Sequence, residues 1–161
     1  MFNHGYITMK RTAIAFFTVL SIALPAAAAS LAIDRDAEAL VAKLAKAVVV
    51  DSAVTYREVT AKDPKWVRGD LYPVVQDAQG IMLAHGANEK MVGKAVLDLE
   101  DADGKQFGRE LNRNTLANGK AWTDYKYKDS FTKKISLKSM YCEKVRLKFG
   151  DVLACAGIYK R

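Results

Sequence analysis

The chain offers few side chains suited to covalent or metal chemistry. His85 is the only histidine beyond the first thirty residues, and a lone histidine cannot build a histidine-rich zinc site. No nucleophile motif stands beside it, so a small secreted hydrolase that pairs His85 with Asp124 or Asp77 is kept only as an alternative. Residues 101–104 and Glu110 resemble a calcium loop whose first carboxylate is missing, which favours a turn followed by a helix. The sequence therefore predicts no catalytic residue and no metal ligand.

Other side chains are better suited to noncovalent recognition of a small ligand. Tyr72 combines an apolar ring with a hydroxyl tip, as ligand pockets require, although a core aromatic fits the same position. Lys138 or Arg109 could supply the cation that a carboxylate ligand needs. For each of these two cations, a solvated surface position is the alternative.

Alternation along two predicted strands sorts further candidates onto opposite faces. On the strand at 121–128 the two sets are Trp122, Asp124 and Lys126 against Tyr125 and Tyr127. On the strand at 135–146 they are Lys138, Met140 and Cys142 against Ser139 and Tyr141. One face of each strand must line a core or a pocket. We expect Trp122 to be buried and Lys126 to be solvated.

The two cysteines lie on the last two predicted strands. A hairpin folded about Lys148 and Phe149 places Cys142 opposite Cys155, which predicts a disulfide in an oxidising compartment. Two free buried thiols are the alternative. Because there is no CxxC pattern, neither a redox dithiol nor a zinc ribbon is supported.

The elements that must position these residues follow an α+β order. Apolar residues at three- and four-residue spacing predict a long helix over about 34–60, with a bend or a second segment marked by residues 48–50. Turn signals and alternation predict two hairpin strands, a loop at 86–99, a second helix and a three-stranded meander. Their bounds are 71–76 and 81–85 for the hairpin, 105–117 for the helix, and 121–128, 135–146 and 152–159 for the meander.

The N-terminus has the composition of a secretory signal peptide. Lys10 and Arg11 precede an apolar run at 13–24, and Pro25 and four alanines follow. This pattern predicts a signal peptide over 1–29, with the domain over 30–161 exported to the periplasm. An uncleaved anchor is the alternative, and Met9 is a second candidate start.

Export changes what the net charge of the chain indicates about its partners. The 161 residues carry a formal charge of +7, and removal of residues 1–29 with their two cations leaves 132 residues at +5. An exported domain rarely meets nucleic acid, so the lysines on the predicted strands are expected to form a solvated face. No nucleic acid partner is predicted.

Residues 62–160 carry a series of short motifs that, taken in order, resemble the single Cache domain of type 2, an extracytoplasmic PAS-like sensor. The motifs are GDLY at 69–72, GIMLAHG at 80–86, MVGK at 91–94, DLEDADGKQF at 98–107, AWTDYK at 121–126, SMYCEKV at 139–145 and CAGIYK at 155–160. Two departures are Pro73, which suggests an edge strand or a bulge, and residues 127–131, which replace a Trp-Pro segment. No membrane helix, kinase or methyl-accepting segment follows Arg161, so the chain is expected to resemble the sensor part alone.

The resemblance implies a long N-terminal helix and a five-stranded antiparallel sheet whose concave face binds a short organic acid or similar metabolite. It makes His85 a pocket residue that donates to a ligand carboxylate, with a hydrogen bond to the following loop as the alternative. The candidate ligand-binding residues are Tyr72, His85, Trp122, Tyr125, Lys138 and Tyr141. No cofactor is implied, whereas a membrane-bound signalling partner and a homodimer are both compatible with the family. A ligand-free interaction module is the alternative function.

Overall fold

The computed structural model describes Met1, residues 33–129 and residues 132–160. The predicted signal peptide therefore lies outside the described residues except for Met1.

The first helix forms because apolar residues recur along one side of the chain. Helix α1 (Asp34–Val50) buries four side chains at three- and four-residue spacing. They are Ala37, Val41, Leu44 and Val48.

The predicted long helix is two helices. Asp51 has an extended backbone, with φ −153° and ψ 95°, and its carboxylate accepts a hydrogen bond from the amide of Val54. Asp51 thereby ends α1 and caps the N-terminus of α2 (Ser52–Thr60). The break lies directly after the β-branched residues 48–50, where the sequence predicted a bend or a second segment.

Five antiparallel strands form one sheet in the order β2-β1-β5-β4-β3. Strands β1 (Pro73–Asp77) and β2 (Met82–His85) form the first hairpin. A 3-10 turn (Glu89–Met91) and helix α3 (Phe107–Asn118) follow, before β3 (Lys120–Lys128), β4 (Ile135–Leu147) and β5 (Gly150–Tyr159). Helix α3 ends at Gly119, whose φ of 80° needs a residue without a Cβ. The α+β class and the five-stranded antiparallel sheet are confirmed.

The β4–β5 hairpin has the register that the cysteines require. Cys142 pairs with Cys155 across the two strands, and their sulfur atoms form a disulfide. Both side chains are fully buried. The prediction of a disulfide is confirmed, and the alternative of two free thiols is wrong.

Pro73 does not mark an edge strand. It is the first residue of β1, which lies between β2 and β5 inside the sheet. A proline is tolerated at a strand's first residue because no ladder hydrogen bond is required from its nitrogen. The bulge in this hairpin lies further along, between Val75 and Gln76. Strand β1 starts at Pro73, two residues later than the predicted Leu71.

The sheet separates two apolar layers. One face packs against α1 and α2, with Val75, Tyr141 and Ile158 among the buried residues. The other face packs against α3 and the segment before it, with Val74, Leu111 and the disulfide in its core. Neighbouring residues on each strand point to opposite layers. Among the helices of the described residues, none is long and apolar enough to span a membrane.

Candidate functional site

A cavity of about 200 Å³ lies on the face of the sheet opposite α1 and α2. All five strands contribute to its floor, and α3 with residues 86–99 forms its cover. Most of the lining is apolar or aromatic, and the polar groups are few. The residues that line it are Tyr72, Val74, Gln76, Met82, His85, Ala87, Asn88, Met91, Val96, Leu99, Phe107, Gly108, Leu111, Tyr125, Tyr127, Lys128, Lys138, Met140 and Tyr159.

Lys138 places a cation inside this cavity. Its side chain is 1% exposed, and its Nζ donates a hydrogen bond to Tyr72 Oη over 2.8 Å. The same nitrogen lies 4.6 Å from the centre of the Tyr72 ring and 4.7 Å from that of Tyr159, within the range of cation–π attraction. The alternative of a solvated surface position for Lys138 is wrong. Gly157 on β5 leaves the space, since a Cβ there would lie 2.7 Å from Lys138 Cε.

Within the described part of the chain, no carboxylate forms an ion pair with the Lys138 Nζ. Burial lowers the pKa of Lys138 below the usual value for lysine, because the low-dielectric interior disfavours the charged form. The charges of Asp70 and Asp129 nonetheless act on Lys138 in the opposite direction and raise its pKa. A buried cation without an ion-pair partner is costly, and an anion beside Lys138 would reduce that cost.

His85 adds a neutral hydrogen-bond donor beside Tyr72. Its Nδ1 accepts hydrogen bonds from the backbone N–H groups of Ala87 (3.1 Å) and Asn88 (3.0 Å), which places the ring proton on Nε2. The imidazole stacks on Tyr72, with ring centres 5.4 Å apart. Burial, and then the charge of Lys138, lower the pKa of His85 to about 4. His85 therefore lines the cavity and also bonds to the following loop, so the two roles that were expected as alternatives occur together.

Tyr125 and Phe107 form the aromatic wall at the α3 side. Their rings are parallel with centres 4.0 Å apart, and Tyr127 meets both of them edge-on. Full burial raises the pKa of Tyr125 well above its usual value, so its hydroxyl stays protonated. Helix α3 comes close to the preceding segment because residue 108 is glycine, where a Cβ would lie 2.0 Å from the carbonyl oxygen of Val96.

Residues 29–147 match the Single Cache domain 2 family. The chain belongs to this family. The match covers most of the chain and confirms the resemblance that the sequence motifs predicted. No curated protein matches the sequence significantly.

Solved structures of chemosensory domains share the fold of this Cache domain. A methyl-accepting chemotaxis protein from Vibrio parahaemolyticus RIMD 2210633 is 19% identical, with a TM-score of 0.62 over 78% of this chain and 86% of that one. A periplasmic sensor domain of a chemotaxis protein is 19% identical (TM-score 0.58, 79% and 90% covered). A Cache chemosensory domain whose structure explains carboxylic acid recognition is 16% identical (TM-score 0.58, 75% and 84% covered).

Trp122 and Tyr141 lie outside the cavity of the Cache domain. They pair across β3 and β4 on the helical face of the sheet, with ring centres 5.1 Å apart. Trp122 is only partly buried, and its Nε1 donates to Glu38 on α1 over 3.4 Å, while Tyr141 donates to Glu143 over 2.8 Å. The strand period of two explains the separation, since residues of opposite parity, such as Trp122 and Tyr125, cannot face the same layer.

The remaining candidate cations and carboxylates also lie away from the cavity. Arg109 forms an ion pair with Asp98 at the surface. Asp124 accepts a hydrogen bond from the Ser139 hydroxyl on the helical face, and Asp77 accepts one from a backbone amide in the β1–β2 turn. Within the described residues neither carboxylate bonds to His85, so the geometry gives no support to a hydrolase.

The predicted turn at 101–104 and the solvated lysine on β3 are both found. Asp101 accepts hydrogen bonds from the amides of Asp103, Lys105 and Lys126, which closes the turn and ties it to β3. Lys126 is exposed and forms an ion pair with Asp103 over 2.6 Å. In the described part of the chain, no cluster of His, Cys, Asp and Glu residues could hold a metal ion.

Gln76 lines the cavity but was absent from the candidates. It is 4% exposed, and no hydrogen-bond partner for its Nε2 exists among the described residues. The sequence carried a signal for it, because Gln76 is the one polar side chain on the same side of β1 as Tyr72 and Val74. A glutamine in an inward register position is a binding candidate for that reason.

Proposed function

We propose that this protein captures a small anionic metabolite, such as a short organic acid, for sensing outside the cytoplasm. One observation carries the proposal: a lysine ammonium is buried in an aromatic cavity of a Cache domain and forms no ion pair within the described residues. The free energy cost of that buried charge is offset when an anion binds beside it.

The geometry supports a simple binding mechanism. The ligand carboxylate accepts charge-assisted hydrogen bonds from Lys138 Nζ and a hydrogen bond from the Nε2–H of His85, each worth about 1.5–3 kcal/mol when a charged group is involved. The rings of Tyr72, Tyr125 and Tyr159 exclude water around these contacts and strengthen them. Tyr72 holds both donors in place, since it bonds to Lys138 and stacks on His85.

The extracytoplasmic location and the signalling role are part of the same proposal. The signal peptide predicted over 1–29 and the disulfide both fit an oxidising compartment outside the cytoplasm. The Cache family consists of extracytoplasmic sensor domains, and the chemosensory relatives named above share its fold. We expect the bound state to be read by a membrane-bound signalling partner.

Thermal unfolding of the purified protein tests the ligand class. We expect C2–C5 carboxylates to raise the Tm, because a ligand that binds only the folded state stabilises it, and amines to leave it unchanged. Lys138→Met is expected to weaken acid binding at least tenfold while keeping the fold, since methionine fills the same space without a buried charge. Lys120→Met, a change at an exposed lysine on β3, is the matched control and is expected to bind acids normally.

Two results would count against this function. If Lys138→Met binds acids as well as the unchanged protein, the anion does not lie at Lys138. If no carboxylate raises the Tm, the ligand-free interaction module becomes the better interpretation.

A further inference from the structure

The cavity has a second polar position, at the end opposite Lys138. On the cavity face of the sheet, Lys138 pairs with Tyr159 at the end of β5, whereas Gln76 pairs with Leu153 near its start. Leu153 and Tyr159 are six residues apart, about 20 Å along a strand. Lys138 and Gln76 both line the cavity, so a ligand that spans it meets a cation at one end and an amide at the other.

The amide end of the cavity is neutral. Met82 pairs with Gln76 on the neighbouring strand, and Val96 and Leu111 complete an apolar surround. The two lysines that line the cavity, Lys138 and Lys128, both lie at the other end, where the Tyr159 hydroxyl donates to the carbonyl oxygen of Lys128. Among the described lining residues, none brings a charge to the Gln76 end.

The Gln76 amide needs a partner that the protein does not supply. A buried N–H donor without an acceptor costs about 1–3 kcal/mol, and the Nε2 of Gln76 is such a donor within the described residues. A ligand oxygen at this position removes that cost. An apolar ligand tail leaves it in place.

We infer that Gln76 recognises an uncharged oxygen on the tail of the ligand, so that the preferred ligand is a monocarboxylate with a keto, hydroxyl or amide group distant from its carboxylate. This inference rests on the proposed function, since it assumes that the carboxylate lies at Lys138. A dicarboxylate is disfavoured, because its second charge would be buried against Met82, Val96 and Leu111 without a cation.

The size of the cavity limits the length of the ligand. A volume of about 200 Å³ corresponds to roughly six or seven water molecules at about 30 Å³ each. This space suits a small acid of about five carbons or fewer. Pentanoate, 4-oxopentanoate and succinate are therefore suitable probes, since they differ in the group carried on the tail.

Calorimetric titration of the purified protein with these three acids tests the inference. We expect 4-oxopentanoate to bind roughly five- to tenfold more tightly than pentanoate, the effect of one hydrogen bond to a buried donor, and succinate to bind most weakly. In Gln76→Met, which keeps the volume of the side chain and removes the amide, the two monocarboxylates are expected to bind equally. Gln79→Met, at an exposed turn residue, is the control and keeps the preference.

The outcomes separate this inference from the proposed function. If pentanoate binds but 4-oxopentanoate has no advantage, or if Gln76→Met keeps the advantage, the inference is overturned and the anion site stands. If none of the three acids binds, both are overturned. A melting curve of ligand-free Gln76→Met, expected at or above that of the unchanged protein, shows that the variant is folded.

Discussion

Three side chains set the electrostatics of the cavity. Tyr72 contacts both Lys138 and His85, so its ring lies between a cation and a neutral imidazole. Burial raises the pKa of Tyr72 to about 12, with a further contribution from the charge of Asp70, which keeps the hydroxyl protonated near neutral pH. Lys138 and His85 thus offer hydrogen-bond donors on the side where the ligand anion is expected.

The low pKa of His85 makes stability depend on pH. The pKa is about 4 in the folded protein and about 6.5 in an unfolded chain. As the pH falls below 6.5 the unfolded state binds the proton first, so the free energy of unfolding decreases between about pH 6.5 and pH 4. We expect His85→Gln, which does not titrate, to lose less stability over this range in urea denaturation.

The control for this prediction is built into the comparison. Protonation of carboxylates such as Asp101 and Glu58, whose pKa values are lowered by hydrogen bonds, also reduces the free energy of unfolding in acid. This contribution is common to both proteins, because both contain these carboxylates. Equal losses in the two proteins between pH 7 and pH 5 would show that His85 does not carry the effect.

At the scale of elements, the β4–β5 hairpin supplies both the cation and the space that it occupies. Lys138 comes from β4, and Gly157 on β5 lies beside it without a side chain. Met140, which pairs with Gly157 across the strands, continues the floor of the cavity. The hairpin therefore works as one unit in which a small residue on one strand admits a long residue from the other.

Gly157→Ala tests this arrangement. The new Cβ would lie 2.7 Å from Lys138 Cε and must push the lysine aside. We expect the affinity for short carboxylates to fall about tenfold, a change of roughly 1.4 kcal/mol, while circular dichroism shows an unchanged fold. An unchanged affinity would mean that the position of the Lys138 chain does not matter for binding.

The same elements show what the sequence could predict about the site. The cysteine pair and the turn residues specified the hairpin register, and register decides which residues share a face. Alternation therefore separated Trp122 from Tyr125 correctly. Alternation could not show which set of residues lines the cavity, because both layers contain aromatic residues. Only the positions of α1 and α3 distinguish the two layers. Local patterns also could not predict the burial of Lys138, because the space for its side chain depends on Gly157, which is distant in the sequence.

At the scale of the whole molecule, the disulfide joins the central strand of the sheet, β5, to its neighbour β4. Cys142 and Cys155 are separated by 13 residues and lie in the core beneath α3. Cross-linking a loop of this length restricts the unfolded chain and stabilises a protein by about 3 kcal/mol. The crosslink therefore contributes a substantial part of the free energy of unfolding of a domain this small.

Removal of the crosslink should lower stability without changing the fold. We expect the double variant Cys142→Ala/Cys155→Ala to unfold at a lower urea concentration, with a loss of about 3 kcal/mol. A reductant should shift the unchanged protein in the same direction and leave the double variant unaffected. A reduced protein, verified by mass, that unfolds at the original urea concentration would contradict this account.

The alternation of residues along β4 has a mechanical consequence. Lys138 and Met140 reach into the cavity, while Ser139 and Tyr141 between and beside them reach the layer of α1. A single thickness of backbone thus separates the cavity from the layer of α1. If an anion binds Lys138 as proposed, a shift of β4 toward it would also move Tyr141, so the strand would couple binding in the cavity to the packing of α1.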